Sequence, residues 1–247
     1  MNYKTGLVSV SFRDKTPREI LEKMKEAGLF YIEWGSDVHC VPESAKEIFN
    51  LQKEYGIECS SYGTYFRLGV TPIEKLKQYI DAAKILGTNI LRLWCGDKNS
   101  QDYSESEKEA LFAECKAAEK IARDSGVVLC MECHIKTYTN KKESALELMQ
   151  TVGSPHFKMY WQPSQYTSVS ENIAYATLLS PYTEHIHVFN WKEKEKYPLC
   201  EAKEIWTEYL KNFDGERYLL LEFMPDGKEE SLIKEANTLR EIIGGLV

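Results

Sequence analysis

The chain has 247 residues, 43% of them hydrophobic and 28% charged, enough to bury a large core beneath a solvated surface, and a length at which an α/β barrel forms one domain, here 1–247. A formal net charge of −7 and an isoelectric point near 5.4 leave no basic stripe to neutralise a phosphate backbone, which argues against a nucleic-acid partner. No stretch approaches the ~20 apolar residues of a membrane helix, no leader with a cleavage site opens the chain, and seven scattered cysteines read as reduced thiols of a cytoplasmic protein.

Short apolar or alternating runs recur along the chain, each followed by a helix-period stretch. GLVSVSF (6–12) is the first expected strand, and TPREILEKMKEAG its helix, with Thr16 as N-cap, Pro17 as first helical residue and Gly28 as stop. LFYIEW (29–34) is followed by a loop and a helix ending at Gly56. IECSSY (57–62) precedes a helix that starts at Thr-Pro and stops at Gly87, and NILRLWC (89–95) precedes a helix capped by Ser104 or Ser106.

VVLCMEC (127–133), FKMYWQP (157–163), HIHVFNW (185–191) and RYLLLEFM (217–224) complete the set, each with a helix behind it. Eight strands spaced by roughly 30 residues with alternating helices predict a single (β/α)8 TIM barrel. No Gly-x-Gly-x-x-Gly follows any strand, so a dinucleotide-binding open sheet lacks its phosphate turn. Cys130 and Cys133 stand three apart in one strand and face opposite ways, a pattern of buried thiols rather than of a redox or zinc pair.

Barrel chemistry is expected at the C-terminal strand ends. There strand five carries Glu132, strand six Gln162, strand seven His187 and strand eight Glu222. A carboxylate inside LLLEFM is costly to bury unless it is paired or binds a cation. For Glu222 a structural ion pair to a residue such as Arg92 is the plain alternative. Two carboxylates, an imidazole and an amide fit a mixed oxygen and nitrogen site for Mn²⁺, Mg²⁺ or Co²⁺, with Zn²⁺ as a further option.

This order, with the His-Val-x-x-Trp segment on strand seven, resembles the sugar phosphate isomerase/epimerase family, whose barrel is xylose isomerase-like and which includes the ketose 3-epimerases. IEWGSDVHCVP, SSYGTYFRLG and LRLWCG are similar to family segments too, so the resemblance spans essentially the whole chain. It implies a divalent metal held by Glu132, Gln162, His187 and Glu222. Gln162 departs from the family's Asp; its carbonyl oxygen can still bind a hard cation, but one negative charge is lost and affinity should fall.

The resemblance further implies that Glu132 and Glu222 exchange protons with a carbon next to a carbonyl while the metal polarises the oxygen. His134, two residues beyond Glu132, is a candidate for a substrate hydroxyl. Arg67, His39 and Glu33 are within reach of the same mouth, and Trp94, Trp161 and Trp191 are candidate sugar-stacking faces. His185 should lie one layer deeper as a core residue, and His156 in a solvated turn.

The expectation is a metal-dependent isomerase or epimerase of a small sugar, polyol or hydroxy-ketone, with assembly into a homo-oligomer left open. A catalytically silent ligand-binding barrel and a dehydratase or lyase on cyclic polyols are the alternatives. The DNA-repair relatives, with a histidine-rich trinuclear zinc site, fit poorly with five histidines and an acidic surface.

Overall fold

In the computed structural model, which describes residues 2–246, eight parallel strands close into a barrel. They are β1 (Asn2–Val8), β2 (Tyr31–Gly35), β3 (Glu58–Leu68), β4 (Ile90–Cys95), β5 (Val128–Glu132), β6 (Phe157–Trp161), β7 (Thr183–Val188) and β8 (Glu216–Leu221). Each strand pairs with its sequence neighbours, and β1 closes the ring on β8 from Asn2 opposite Glu216 to Leu7 opposite Leu221. This is the (β/α)8 TIM barrel expected from the alternating pattern.

The helices are α1 (Pro17–Glu26), α2 (Ala45–Glu54), α3 (Leu76–Leu86), α4 (Glu105–Ser125), α5 (Lys142–Val152), α6 (Val169–Leu179), α7 (Lys203–Leu210) and α8 (Leu232–Gly244). Thr16 and Ser104 cap α1 and α4 with capping boxes to Glu19 and Glu107, because a hydroxyl and a carboxylate satisfy otherwise orphaned N–H groups. Among the described residues, no helix is long and apolar enough to cross a membrane.

Two apolar layers result. The larger lies between barrel and helices and holds Trp34, Trp161, Trp206 and Phe213. The smaller lies inside the barrel and consists of Val8, Val10, Ile90, Cys130, Tyr160 and Leu220. Above it the interior turns polar, with Glu33, Ser61, Arg92, Glu132, His187 and Glu222 all buried. Cys130 and Cys133 fall in different layers, facing opposite ways as period-two alternation requires.

The first strand differs from expectation. Pairing ends at Val8, and Ser9–Phe12 wind into a 3₁₀ turn. Ser9 Oγ there accepts hydrogen bonds from the Gly35 amide, at 2.9 Å, and pairs with His39 Nδ1, at 3.0 Å. The run 6–12 alternates like a strand, but these long-range demands on Ser9 end it early.

Candidate functional site

Alternation along each strand decides which side chains reach the barrel axis. On β5, Cys130 and Glu132 face inward; on β6, Tyr160 does so and Gln162 follows just past the strand end. His185 and His187 on β7, and Leu220 followed by Glu222 after β8, complete the inner surface. Register places Tyr160 beside Glu132 and His187 beside Leu220, so the four polar residues gather at one end.

They converge on a single atom. His187 Nδ1 lies 3.0 Å from Gln162 Oε1, 3.4 Å from Glu132 Oε1 and 3.6 Å from Glu222 Oε2. An imidazole nitrogen carries at most one proton and cannot satisfy three oxygens. Ligand atoms of Glu132, His187 and Glu222 all lie within 4.8 Å of one another, and with the Gln162 carbonyl they form a donor set of one nitrogen and three oxygens. That chemistry fits a hard or borderline divalent cation.

Behind this set stands a second layer of charge that the sequence reading used only in part. Glu33 on β2 meets His187 Nε2 at 3.2 Å and accepts from Ser61 at 3.0 Å and from Arg92 Nε at 2.8 Å. Arg92 on β4 also donates to Glu132 at 2.9 Å. Its partners are therefore Glu33 and Glu132, not the Glu222 with which it was paired as an alternative. Gly63 is required here, since a Cβ would stand 2.4 Å from Glu33 Oε1 and 2.9 Å from Arg92 Nη2.

The electrostatics follow from this packing. Burial pushes the Glu132 carboxyl up, but Arg92 and then His187 outweigh it and hold it down to about 2. Burial likewise opposes ionisation of Glu33, and Arg92 with His187 overrides it, so Glu33 stays ionised. His187 is depressed by burial, yet Glu222, Glu33 and Glu132 raise it to about 10. Glu222 goes the other way: burial, reinforced by Glu132 and Glu33, lifts it to about 7 despite His187 and Arg92.

Strain accompanies Glu222. Phe223, directly after Glu222, adopts φ 56°, a left-handed conformation that bulky residues rarely take. Its amide donates to Ser11 Oγ at 3.0 Å, which holds the turn and with it the direction of the Glu222 side chain.

Other expected site residues separate into two groups. Trp94 donates its indole N–H to Glu132, Arg67 lies 4.1 Å above the Trp94 ring, and His134 packs on the same ring at 5.5 Å, so these three form a stack at the mouth. Trp191 lies on a short hairpin, Trp191–Lys192 with Glu195–Lys196, and packs edge-on against Phe223 at 5.1 Å.

Trp161 does not join them. It is fully buried in the outer layer against Trp206, Tyr209 and Phe213, because its neighbour Tyr160 takes the inward position. Trp34 is likewise buried outside the barrel, bound to Gln52. His39 is buried beside Ser9 and Trp34, away from the four donors. His185 is a buried residue one layer below, as expected. His156 is half-buried rather than solvated and is bonded to the Val127 carbonyl at 2.7 Å.

Residues missed by sequence reasoning are Arg92 as a bridge, Ser61, and Tyr160, whose hydroxyl meets Ser61 Oγ at 3.1 Å and whose ring packs on His187 at 4.5 Å. The available signal was an arginine amid the apolar letters of ILRLWC.

Comparison with known proteins agrees with this architecture. The family model described as xylose isomerase-like TIM barrel matches residues 21–240. A curated 3-dehydroshikimate dehydratase of Bacillus anthracis is 23% identical over 222 residues, covering 83% of this chain and 78% of that protein. The structure of a probable 3-DHS dehydratase involved in petrobactin synthesis in Bacillus anthracis superposes with TM-score 0.80 at 20% identity, over 96% of this chain and 98% of that one. D-psicose 3-epimerase with D-tagatose from Clostridium cellulolyticum H10 gives TM-score 0.70 at 13% identity, over 98% and 99%.

Proposed function

The chain belongs to the xylose isomerase-like TIM barrel family, and from that premise we propose a metal-dependent enzyme that removes a proton next to a carbonyl group and returns it, isomerising or epimerising a small sugar, polyol or hydroxy-ketone. The observation that carries this reading is the facing of His187 Nδ1 by three oxygens, from Gln162, Glu132 and Glu222. Glu132, Gln162, His187 and Glu222 would hold the ion. A bound Mn²⁺, Mg²⁺ or Co²⁺ supplies Lewis acidity to the carbonyl oxygen of the substrate.

The remaining work falls to the chain. Glu222 takes the proton from carbon, and Glu132, three strands away around the barrel, serves the opposite face. The Trp94 ring under Arg67 and beside His134 offers an apolar face and donors to a polyol. A recess of about 240 Å³ opens beside Gln162 and His134, with Asn140, Gln165 and Thr167 in its wall, which suits several hydroxyl groups.

A specific asymmetry favours a second reading, a dehydratase. Glu132 Oε2 accepts from both Arg92 and Trp94, whereas Glu222 has His187 as its ionic partner, at 3.6 Å. One carboxylate free of a guanidinium partner suffices for elimination: the C–H proton passes to Glu222, a carbon–carbon double bond forms, and the β-hydroxyl leaves with a proton as water. The curated relative is named a 3-dehydroshikimate dehydratase.

Proton NMR in D₂O with Mg²⁺, a panel of ketoses and 3-dehydroshikimate tests both readings. Deuterium at carbon with an epimeric or isomeric product supports the first, and new olefinic signals support the second. Exchange in no substrate together with no metal uptake overturns both and leaves a ligand-binding barrel.

A further inference from the structure

Three arginines end or follow the strands at the mouth, and two of them are paired. Arg13, after β1, has Asp37, and Arg92 on β4 has Glu33 and Glu132. Arg67, at the end of β3, has no carboxylate within ion-pair distance among the described residues. Its side chain is half-buried, and burial outweighs the pull of Asp97 and Glu132 on the cation. A guanidinium in that state favours an anion that comes from outside the chain.

The group is also fixed in place. The Arg67 amide donates to Thr71 Oγ1 at 3.1 Å, and its carbonyl accepts from the Thr71 amide at 2.8 Å, which closes a turn behind it. Nη1 donates to the Gly96 carbonyl at 2.8 Å and to the Lys136 carbonyl at 3.3 Å. The side chain thus crosses β4 toward the loop after β5, its central carbon 4.1 Å from the centre of the Trp94 ring. Nε and Nη2 bond to nothing in the protein, and neither is sealed from water. Their N–H groups run parallel along one edge, the fork that grips a carboxylate with two bonds at once.

The Trp94 indole N–H holds Glu132, and His134 packs against the same ring at 5.5 Å, so an anion on the fork stands an indole's width from the proposed ligands. The loops that Arg67 touches present carbonyl oxygens rather than N–H groups, and Asp97 adds a negative charge nearby. A single guanidinium in that setting matches a carboxylate better than a dianionic phosphate. We propose that Arg67 is a specificity residue of this site, binding the carboxylate of a hydroxy-acid substrate through Nε and Nη2. This rests on the enzymatic reading for the place of the reacting carbon, and adds that the substrate is an acid rather than a neutral sugar.

Calorimetric titration of the full chain, with and without Mg²⁺, tests this with unreactive probes. Shikimate with its methyl ester, and gluconate with glucitol, are pairs that differ in the free carboxylate. None has a ketone, so binding is read whether or not the chain turns anything over. In at least one pair the acid is expected to bind at least about ten-fold tighter, with a preference that shrinks as salt rises. Arg67→Gln should erase that preference by weakening the acid alone, and Arg67→Lys, which keeps the charge without the fork, should restore part of it. The proposal is overturned by equal affinity within both pairs, by a preference that survives Arg67→Gln, or by equal loss of both partners in that variant, as for a strap between loops. Tighter binding of glucitol 6-phosphate than of gluconate overturns it too. If Arg67→Gln fails to fold, an undiminished preference in Arg67→Lys does the same. Should deuterium exchange fail in every substrate while the acid preference and its loss in Arg67→Gln hold, the enzymatic reading falls and this assignment stands.

Discussion

His187 Nε2 and the Glu33 carboxylate lie 3.2 Å apart, both fully buried, and this contact turns the opposite imidazole nitrogen toward Gln162, Glu132 and Glu222. A carboxylate behind a ligating histidine fixes the ring and raises its basicity, and losing such a partner costs roughly 10–100-fold in metal affinity. Glu33→Gln is therefore expected to weaken Mn²⁺ binding in calorimetry by about that factor. It also leaves Arg92 with Glu132 as its remaining carboxylate, so the melting temperature should fall. Unchanged Mn²⁺ affinity would show that Glu33 serves only Arg92.

Ligation and protonation compete at the same atoms. With His187 raised to about 10 and Glu222 to about 7, the metal-free cluster holds two ionised carboxylates against one guanidinium and one imidazolium. A divalent cation that displaces the protons of His187 and Glu222 leaves the balance unchanged. Metal uptake near neutral pH should thus release between one and two protons, detectable as a dependence of binding enthalpy on the buffer's ionisation enthalpy. Absence of that dependence would contradict the assigned protonation.

The sign for stability follows. Both groups are raised, so their contribution is complete below the ordinary values of 6.5 and 4.5 and is lost as pH climbs through about 7 for Glu222 and about 10 for His187. Thermal melts in EDTA should therefore fall between about pH 6 and pH 9, and Mn²⁺ should protect more at the higher pH. A gap that narrows with pH would reverse this reading.

Much of this centre was legible because strand alternation has a fixed period. Glu132, His187 and Glu222 are charged or titratable letters at inward positions of otherwise apolar runs, and Gln162 follows inward Tyr160 by two. The same rule should have excluded Trp161, which is odd where Tyr160 is even; reading it by its place near the strand end, rather than by its face, put it in the mouth. The bridge from Glu33 through Arg92 to Glu132 spans β2, β4 and β5, and no local pattern records which buried charges meet across a barrel. Nor does GLVSVSF reveal that Gly35 and His39 both need Ser9 Oγ.

Trp161 provides a check on that correction. As a fully buried side chain packed on α7, it should act on stability alone. Trp161→Ala is expected to cost about 3–5 kcal/mol in denaturant unfolding, while Trp161→Phe, which keeps most of the volume, should leave substrate KM and metal affinity near wild type. A large KM effect in the Phe variant would return Trp161 to the substrate site.

Glu222 and Glu132 differ in what they can release. Glu222→Gln should lower solvent deuterium exchange into substrate by about 10²–10⁴-fold, the usual worth of a positioned base, if Glu222 is the group that meets the C–H bond. Glu132→Gln separates the two functional readings. Two-faced epimerisation loses turnover while retaining exchange at the Glu222 face, whereas elimination is reduced only as far as metal binding is. Full exchange in Glu222→Gln would remove the base assignment.

Gln162 is where the donor set departs from an all-carboxylate one, and its effect can be reversed. Its Oε1 faces His187 Nδ1 at 3.0 Å, so an aspartate one methylene shorter would bring a full charge toward the same point. That charge has two consequences with opposite signs. Without metal it strengthens the pairing with the His187 imidazolium and raises the proton's hold on the ring. With metal it adds a third anionic ligand, and hard cations gain affinity with ligand charge. The second effect should win, because a divalent ion interacts with the new charge twice as strongly as a single proton at similar distance. Gln162→Asp is therefore expected to tighten Mn²⁺ or Mg²⁺ binding by at least about ten-fold and to steepen its pH dependence. Weaker binding in Gln162→Asp would mean that the amide is fitted to the site as it stands, with its N–H₂ group engaged by substrate.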